Sequence, residues 1–156
     1  MKIKENFISK KDFEDLSSVM ISSHIPYYFK NNVAHKGDKD FYFTHELFNE
    51  KREKSRYFDL IVPVLDKLKI STLLRAKVNC FPSTKEIIKY DEHIDFPFKH
   101  NGAVFYINTC DGGTWIKDKF IPSVANRMLL FDSNKPHQST NCTDKKCRFN
   151  ININYL

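Results

Sequence analysis

Apolar residues change their period partway along this chain. Near the amino terminus they recur every three to four positions: Phe13, Leu16, Val19 and Met20 form one stripe. That period predicts a helix over residues 9–22, capped by Ser9 with Asp12 three positions on approximating a capping box. A second stripe, Tyr57, Phe58, Ile61, Leu65 and Leu68, predicts a helix over residues 55–69. Pro63 conflicts with its interior, because proline removes a backbone donor, so a break is expected there. Between the two, Pro26-Tyr27-Tyr28-Phe29 breaks the helical period and reads as aromatic core packing. The polar run from Asn31 to Asp40 reads as a loop, and Phe41 to Phe43 as a short strand.

From Leu74 the period is two. Leu74, Ala76, Val78 and Cys80 alternate with Arg75, Lys77, Asn79 and Phe81. Residues 103–108, 114–117, 128–131 and 147–155 are also strand-like, separated by Gly, Asn, Asp and Pro. In the last of these, Cys147, Phe149, Ile151, Ile153 and Tyr155 point one way and Arg148, Asn150, Asn152 and Asn154 the other. Helices followed by many short strands predict a mostly β protein, a sheet sandwich buttressed by N-terminal helices. One domain over residues 1–156 is expected, with 1–70 as helical support and 71–156 as the β core. Residues 31–54 are the one large candidate for a lid.

Composition adds bounds. The chain has 156 residues, 41% of them hydrophobic and 28% charged, which is enough for a sizeable core. No long apolar run is present and the first residues lack the apolar core of a signal peptide, so no membrane span and a cytoplasmic location are expected. The four cysteines, at positions 80, 110, 142 and 147, fit no C-x-x-C zinc spacing and read as reduced thiols. Cys142 and Cys147 are the pair that spacing alone brings into question. The formal net charge of +6 favours anionic partners, yet the cations are spread thinly, as a solvated face requires.

The candidate chemistry lies between Tyr90 and Arg148. On a strand, His93 and Asp95 at i and i+2 present an imidazole and a carboxylate on one face. His137 completes three ligands, and two His plus one carboxylate with open positions opposite suits non-heme Fe(II). Arg148, eleven residues after His137, offers a planar fork suited to a carboxylate. Zinc can take the same three ligands, but a hydrolase then needs a general base, and Glu92 points away from the His93 face. The polar row of the last strand is either a solvent face or the wall of a ligand cavity; Arg148, following His137, favours the cavity.

These residues resemble the Fe(II)/2-oxoglutarate-dependent oxygenases, and most closely the prolyl-4-hydroxylase-like members, including short versions encoded by bacteriophages. The resemblance covers residues 73–155. It is carried by His93-x-Asp95, Phe105-Tyr106-Ile107-Asn108, Asp111-Gly112-Gly113-Thr114, residues 126–132, His137 and Arg148-Phe149-Asn150. It implies a double-stranded β-helix core, a jelly-roll of the cupin type. It implies Fe(II) held by His93, Asp95 and His137, and 2-oxoglutarate and O2 as co-substrates. Oxidative decarboxylation of 2-oxoglutarate to succinate is then coupled to hydroxylation of a substrate. Arg148 is the implied cation for the far carboxylate, with Tyr106 contributing its phenol and Asn150 and Asn79 as further donors. Phe81 departs from the Asn-x-Tyr pattern of some nucleic-acid-repair relatives, since it lacks the hydroxyl. By the resemblance the Gly-Gly turn lets the chain pass close to the site, and glycine's freedom at positive φ is a sufficient structural reason for it. A peptide or protein side chain, proline among them, is the first substrate class. Nucleobase oxidation or demethylation, a small metabolite, and a non-catalytic metal-binding module of the same fold stand as alternatives.

Overall fold

The computed structural model describes all of residues 1–156. Its strands are β1 (Lys2–Lys4), β2 (Tyr28–Lys30), β3 (Tyr42–Asn49), β4 (Arg52–Glu53), β5 (Leu73–Pro82) and β6 (Asn101–Tyr106). They continue with β7 (Gly113–Ile116), β8 (Lys119–Pro122), β9 (Arg127–Asp132), β10 (His137–Ser139) and β11 (Cys147–Tyr155). The helices are α1 (Lys10–Met20) and α2 (Val62–Leu68). All strand pairs are antiparallel. The large sheet runs β1-β9-β6-β11-β5-β3-β2, with β4 on β3, and a small sheet runs β10-β7-β8.

Both expected helices form, with different ends. Ser9 Oγ accepts from Asp12 N (3.1 Å) and caps α1, whose Leu16 and Met20 are fully buried. The second is shorter than the apolar stripe: a 3₁₀ turn over Phe58–Ile61 leads into α2, and Pro63 falls in its first turn. There the missing N–H has no helical partner to lose, so proline starts the helix and does not kink it. Lys69, at φ 54°, ends it.

The two faces of the large sheet have different neighbours. Ala76, Val78, Ala103, Phe105, Ile151 and Ile153 face the helices and pack with Phe7, Leu16, Met20, Leu47, Ile61 and Val64. On the opposite face Val104, Leu129 and Phe131 pack against Ile121 of the small sheet. Beyond this second core that face turns polar, carrying the even-numbered row of β11 and the odd-numbered row of β5. Arg148, Asn150, Asn152 and Asn154 are all buried, so the row is not a solvent face.

All four cysteines are free thiols, and the neighbours differ from those that spacing brings into question. Cys147 lies beside Cys80 on the adjacent strand, and Cys142 beside Cys110. No helix is long and apolar enough to cross a membrane.

Candidate metal centre and carboxylate pocket

The H-x-D segment is not on a strand. It lies in the irregular stretch between β5 and β6, where His93 makes an isolated antiparallel bridge to His137, N–H to carbonyl both ways at 3.0 Å. Asp95 N then donates to Ser133 O (3.3 Å). These backbone bonds, and not strand alternation, bring the three side chains together. The donor atoms of His93, Asp95 and His137 all lie within 4.8 Å of one another.

Each member is held from behind. His137 Nδ1 lies 3.0 Å from Lys135 O, and His93 Nδ1 lies 3.4 Å from Asp91 O. A ring N–H donated to a carbonyl fixes the tautomer and leaves Nε2 as the ligand atom. His137 Nε2 stands 3.7 Å from Asp95 Oδ2. Asp95 Oδ1 accepts from Arg75 Nη2 (2.7 Å), while Oδ2 accepts from Ser133 Oγ and Asn154 Nδ2 (2.9 Å). Burial raises the proton affinity of Asp95, but Arg75, His137 and these donors outweigh it and hold the carboxyl well below the usual carboxylate range. Burial, reinforced by His137, pushes the His93 imidazole down to about 4, so it is neutral at neutral pH. The arrangement fits a divalent metal: one ionised carboxylate, two oriented imidazoles, and an open side facing a cavity.

That cavity is narrow, about 50 Å³, and Arg148 lies in its wall with no exposed surface. Arg148 Nη1 donates to Ser139 Oγ (2.9 Å) and Thr140 O (2.7 Å), and Nη2 to Thr114 Oγ1 (3.3 Å). Its Nε has no partner, and it takes part in no ion pair. The guanidinium lies 5.2 Å from the centre of the Phe81 ring, which also stacks with Tyr42.

The other expected site residues are placed differently from one another. Asn79 and Asn150 both line the cavity and bond each other, Asn79 Nδ2 donating to Asn150 Oδ1 (3.1 Å). Tyr106 does not line it. Its phenol donates to Thr114 Oγ1 (2.8 Å) and so supports from behind the hydroxyl that meets Arg148. Asn154 belongs to the polar row of β11 that the sequence places on a cavity wall. Arg75 and Lys77 alternate with apolar residues along β5, a pattern that does not say their face is enclosed, and Ser133 lies just past the end of β9 with no signal of its own. Tyr42 was read only as part of a strand.

The Gly-Gly turn passes close to the site as expected, but not by way of a positive φ. Neither Gly112 nor Gly113 has a positive φ. A Cβ on Gly112 would stand 1.8 Å from Asn141 O, and one on Gly113 would stand 2.3 Å from Ile121 O. Close approach, and not backbone freedom, excludes a side chain.

The chain matches no protein-family model and no curated protein. Solved structures do match along its whole length. A prolyl hydroxylase from Trichoplax adhaerens, in complex with a hypoxia inducible factor peptide fragment, is 16% identical with a TM-score of 0.69, over 99% of this chain and 82% of that one. The viral collagen prolyl hydroxylase of Paramecium Bursaria Chlorella virus-1, a 2-oxoglutarate complex, is 12% identical with a TM-score of 0.66, over 99% and 95%. The non-heme α-ketoglutarate-dependent epimerase SnoN from nogalamycin biosynthesis is 10% identical with a TM-score of 0.65, over 99% and 76%. At such identities the likeness establishes the fold. This chain shares the fold of prolyl hydroxylases and other 2-oxoglutarate/Fe(II) oxygenases.

Proposed function

We propose that this chain is an Fe(II)- and 2-oxoglutarate-dependent oxygenase, with iron held by His93, Asp95 and His137. One observation carries the reading: a fully buried arginine, without a carboxylate partner, opens into the same cavity as the His-Asp-His group. An unpaired buried charge costs several kcal/mol, roughly, and persists where a ligand supplies the counter-charge. The far carboxylate of 2-oxoglutarate is that counter-charge, received by the Arg148 fork with help from the Ser139 and Thr114 hydroxyls. A non-catalytic metal module has no use for this second, carboxylate-binding feature.

When bound, the iron and 2-oxoglutarate supply the oxidising chemistry: O2 is consumed, 2-oxoglutarate becomes succinate and CO2, and a substrate C–H becomes C–OH. The protein's part is position and polarity. Arg75, Ser133 and Asn154 keep Asp95 ionised and aimed, and the carbonyls of Asp91 and Lys135 aim the imidazoles. Phe81 and Val104 form an apolar part of the cavity wall.

The two facing sheets we read as a double-stranded β-helix, and residues 1–156 as one oxygenase domain, with 1–70 as its helical support and 31–54 as its lid. For substrate we favour a peptide or protein side chain, in line with the prolyl hydroxylases that share the fold. The test is succinate formation in the presence of Fe(II), 2-oxoglutarate and O2. The expected result is a requirement for all three and loss of activity in His93→Ala and Asp95→Ala. Succinate formed equally by those variants overturns the reading.

A further inference from the structure

Lys77 is the one cation shared by the cavity beside the His-Asp-His group and the adjoining groove. Its neighbours on the same face of β5 are already engaged, Arg75 by Asp95 and Asn79 by Asn150. Lys77 is different. Its single hydrogen bond goes to a neutral group, Nζ donating to Tyr42 Oη (3.0 Å), and the ammonium sits 5.4 Å from the centre of that ring. It forms no ion pair, although Glu46 is its register partner on β3. An ammonium has three donors, so two remain for a ligand.

The surroundings limit what that ligand is. One ammonium beside one phenol matches a singly charged carboxylate better than a doubly charged phosphate. The groove carries both signs: Glu46 pairs with Lys77 in the β3–β5 register, and Lys30 and Arg75 line the same wall. The groove beyond Lys77 has a volume of about 330 Å³ and runs past Thr44, Arg75 and Phe96, which leaves room for a side chain with part of its backbone.

We infer that Lys77, oriented by Tyr42, selects a substrate that carries a carboxylate close to the carbon to be oxidised. This rests on the oxygenase reading of the same site. The carboxylate can belong to an acidic side chain of a peptide or to a small free acid, and the experiment separates the two.

Substrate-stimulated succinate release is measured on the full chain with Fe(II) and 2-oxoglutarate. The probes are capped peptides with Asp or Glu, Asn or Gln, or Lys at one varied position, free amino acids and their methyl esters, and a single-stranded oligonucleotide. Acids are expected to stimulate, with their amide or ester analogues needing about tenfold to hundredfold higher concentration, the effect of losing a charge-assisted bond. Stimulation by capped peptides assigns the carboxylate to a side chain, and stimulation by free acids alone assigns it to a small molecule. Lys77→Met is expected to raise the KM for the acid about tenfold or more with the 2-oxoglutarate KM in place, Tyr42→Phe to act in the same direction, and Lys77→Glu to shift preference toward lysine peptides. The inference is overturned by amides that serve as well as acids, by a panel in which no acid stimulates, or by an oligonucleotide as the sole stimulant. A Lys77→Met effect confined to the 2-oxoglutarate KM also overturns it. Wild-type protein that releases no succinate under any condition contradicts the oxygenase reading itself, and this inference falls with it.

Discussion

Arg75 Nη2 stands 2.7 Å from Asp95 Oδ1, and the same guanidinium lies over the Phe96 ring, 4.9 Å from its centre. A candidate metal ligand is thus fixed by a cation that is itself fixed by an aromatic face. Arg75→Met keeps a stem over Phe96 and deletes the charge. Both partners are largely buried, so the lost bond should destabilise the metal-free protein by about 1.5–3 kcal/mol at neutral pH. The folded-state pKa of Asp95 is depressed, so its stabilisation is complete above the ordinary aspartate value of about 3.9 and is lost as pH falls below it. Denaturant unfolding at neutral pH and at about pH 3 is therefore expected to show the gap between wild type and Arg75→Met shrinking in acid. A gap that is constant or grows contradicts the coupling.

His93 gives a second pH signature. Its folded-state pKa, near 4, lies below the unfolded imidazole value of about 6.5. Between those two values the unfolded chain binds the extra proton, so stability falls as pH falls through that window. The thermal midpoint of the metal-free protein should drop across it, and His93→Gln should flatten the drop. An unchanged slope in the variant places the titrating group elsewhere.

Gly112→Ala tests the close approach of two loops. The added Cβ meets the Asn141 carbonyl oxygen, next to Thr140, whose own carbonyl accepts from Arg148. Overpacking of this kind costs about 1–3 kcal/mol. The shift should also displace Arg148, so a higher 2-oxoglutarate requirement is expected along with a lower thermal midpoint. Gly37→Ala, in open space, serves as the contrast: its φ of 95° strains the backbone locally without touching the pocket.

Much of this was legible in the sequence because it follows from periodicity. The alternation in β11 separated an apolar row from Arg148, Asn150, Asn152 and Asn154, and the stripe from Phe13 to Met20 gave α1. The ordered series His93, Asp95, His137 and Arg148 named residues that the structure brings to one cavity. What the sequence hid is non-local. The isolated His93–His137 bridge follows no local pattern, and neither does the Arg75–Asp95 pair, joined across 20 residues by a fold in an irregular segment. The resemblance implies Tyr106 as a pocket phenol, whereas its hydroxyl bonds Thr114 behind the cavity wall; motif position along a strand gives a face and not a depth. Short strands such as β1, β2, β8 and β10 carry too few residues for a period. Pro63 was read as a break because a 3₁₀ turn leading into a helix leaves the same apolar stripe as one longer helix.

The most direct measurement is an anaerobic titration, first with Fe(II) and then with 2-oxoglutarate, of wild type, His137→Ala and Arg148→Lys. Wild type is expected to bind one iron per chain and then 2-oxoglutarate. His137→Ala should lose iron. Arg148→Lys should keep iron but bind 2-oxoglutarate about tenfold to hundredfold more weakly, since lysine retains the charge and loses the two-pronged donor. Full-strength iron binding by His137→Ala, or unaltered 2-oxoglutarate binding by Arg148→Lys, would contradict the account.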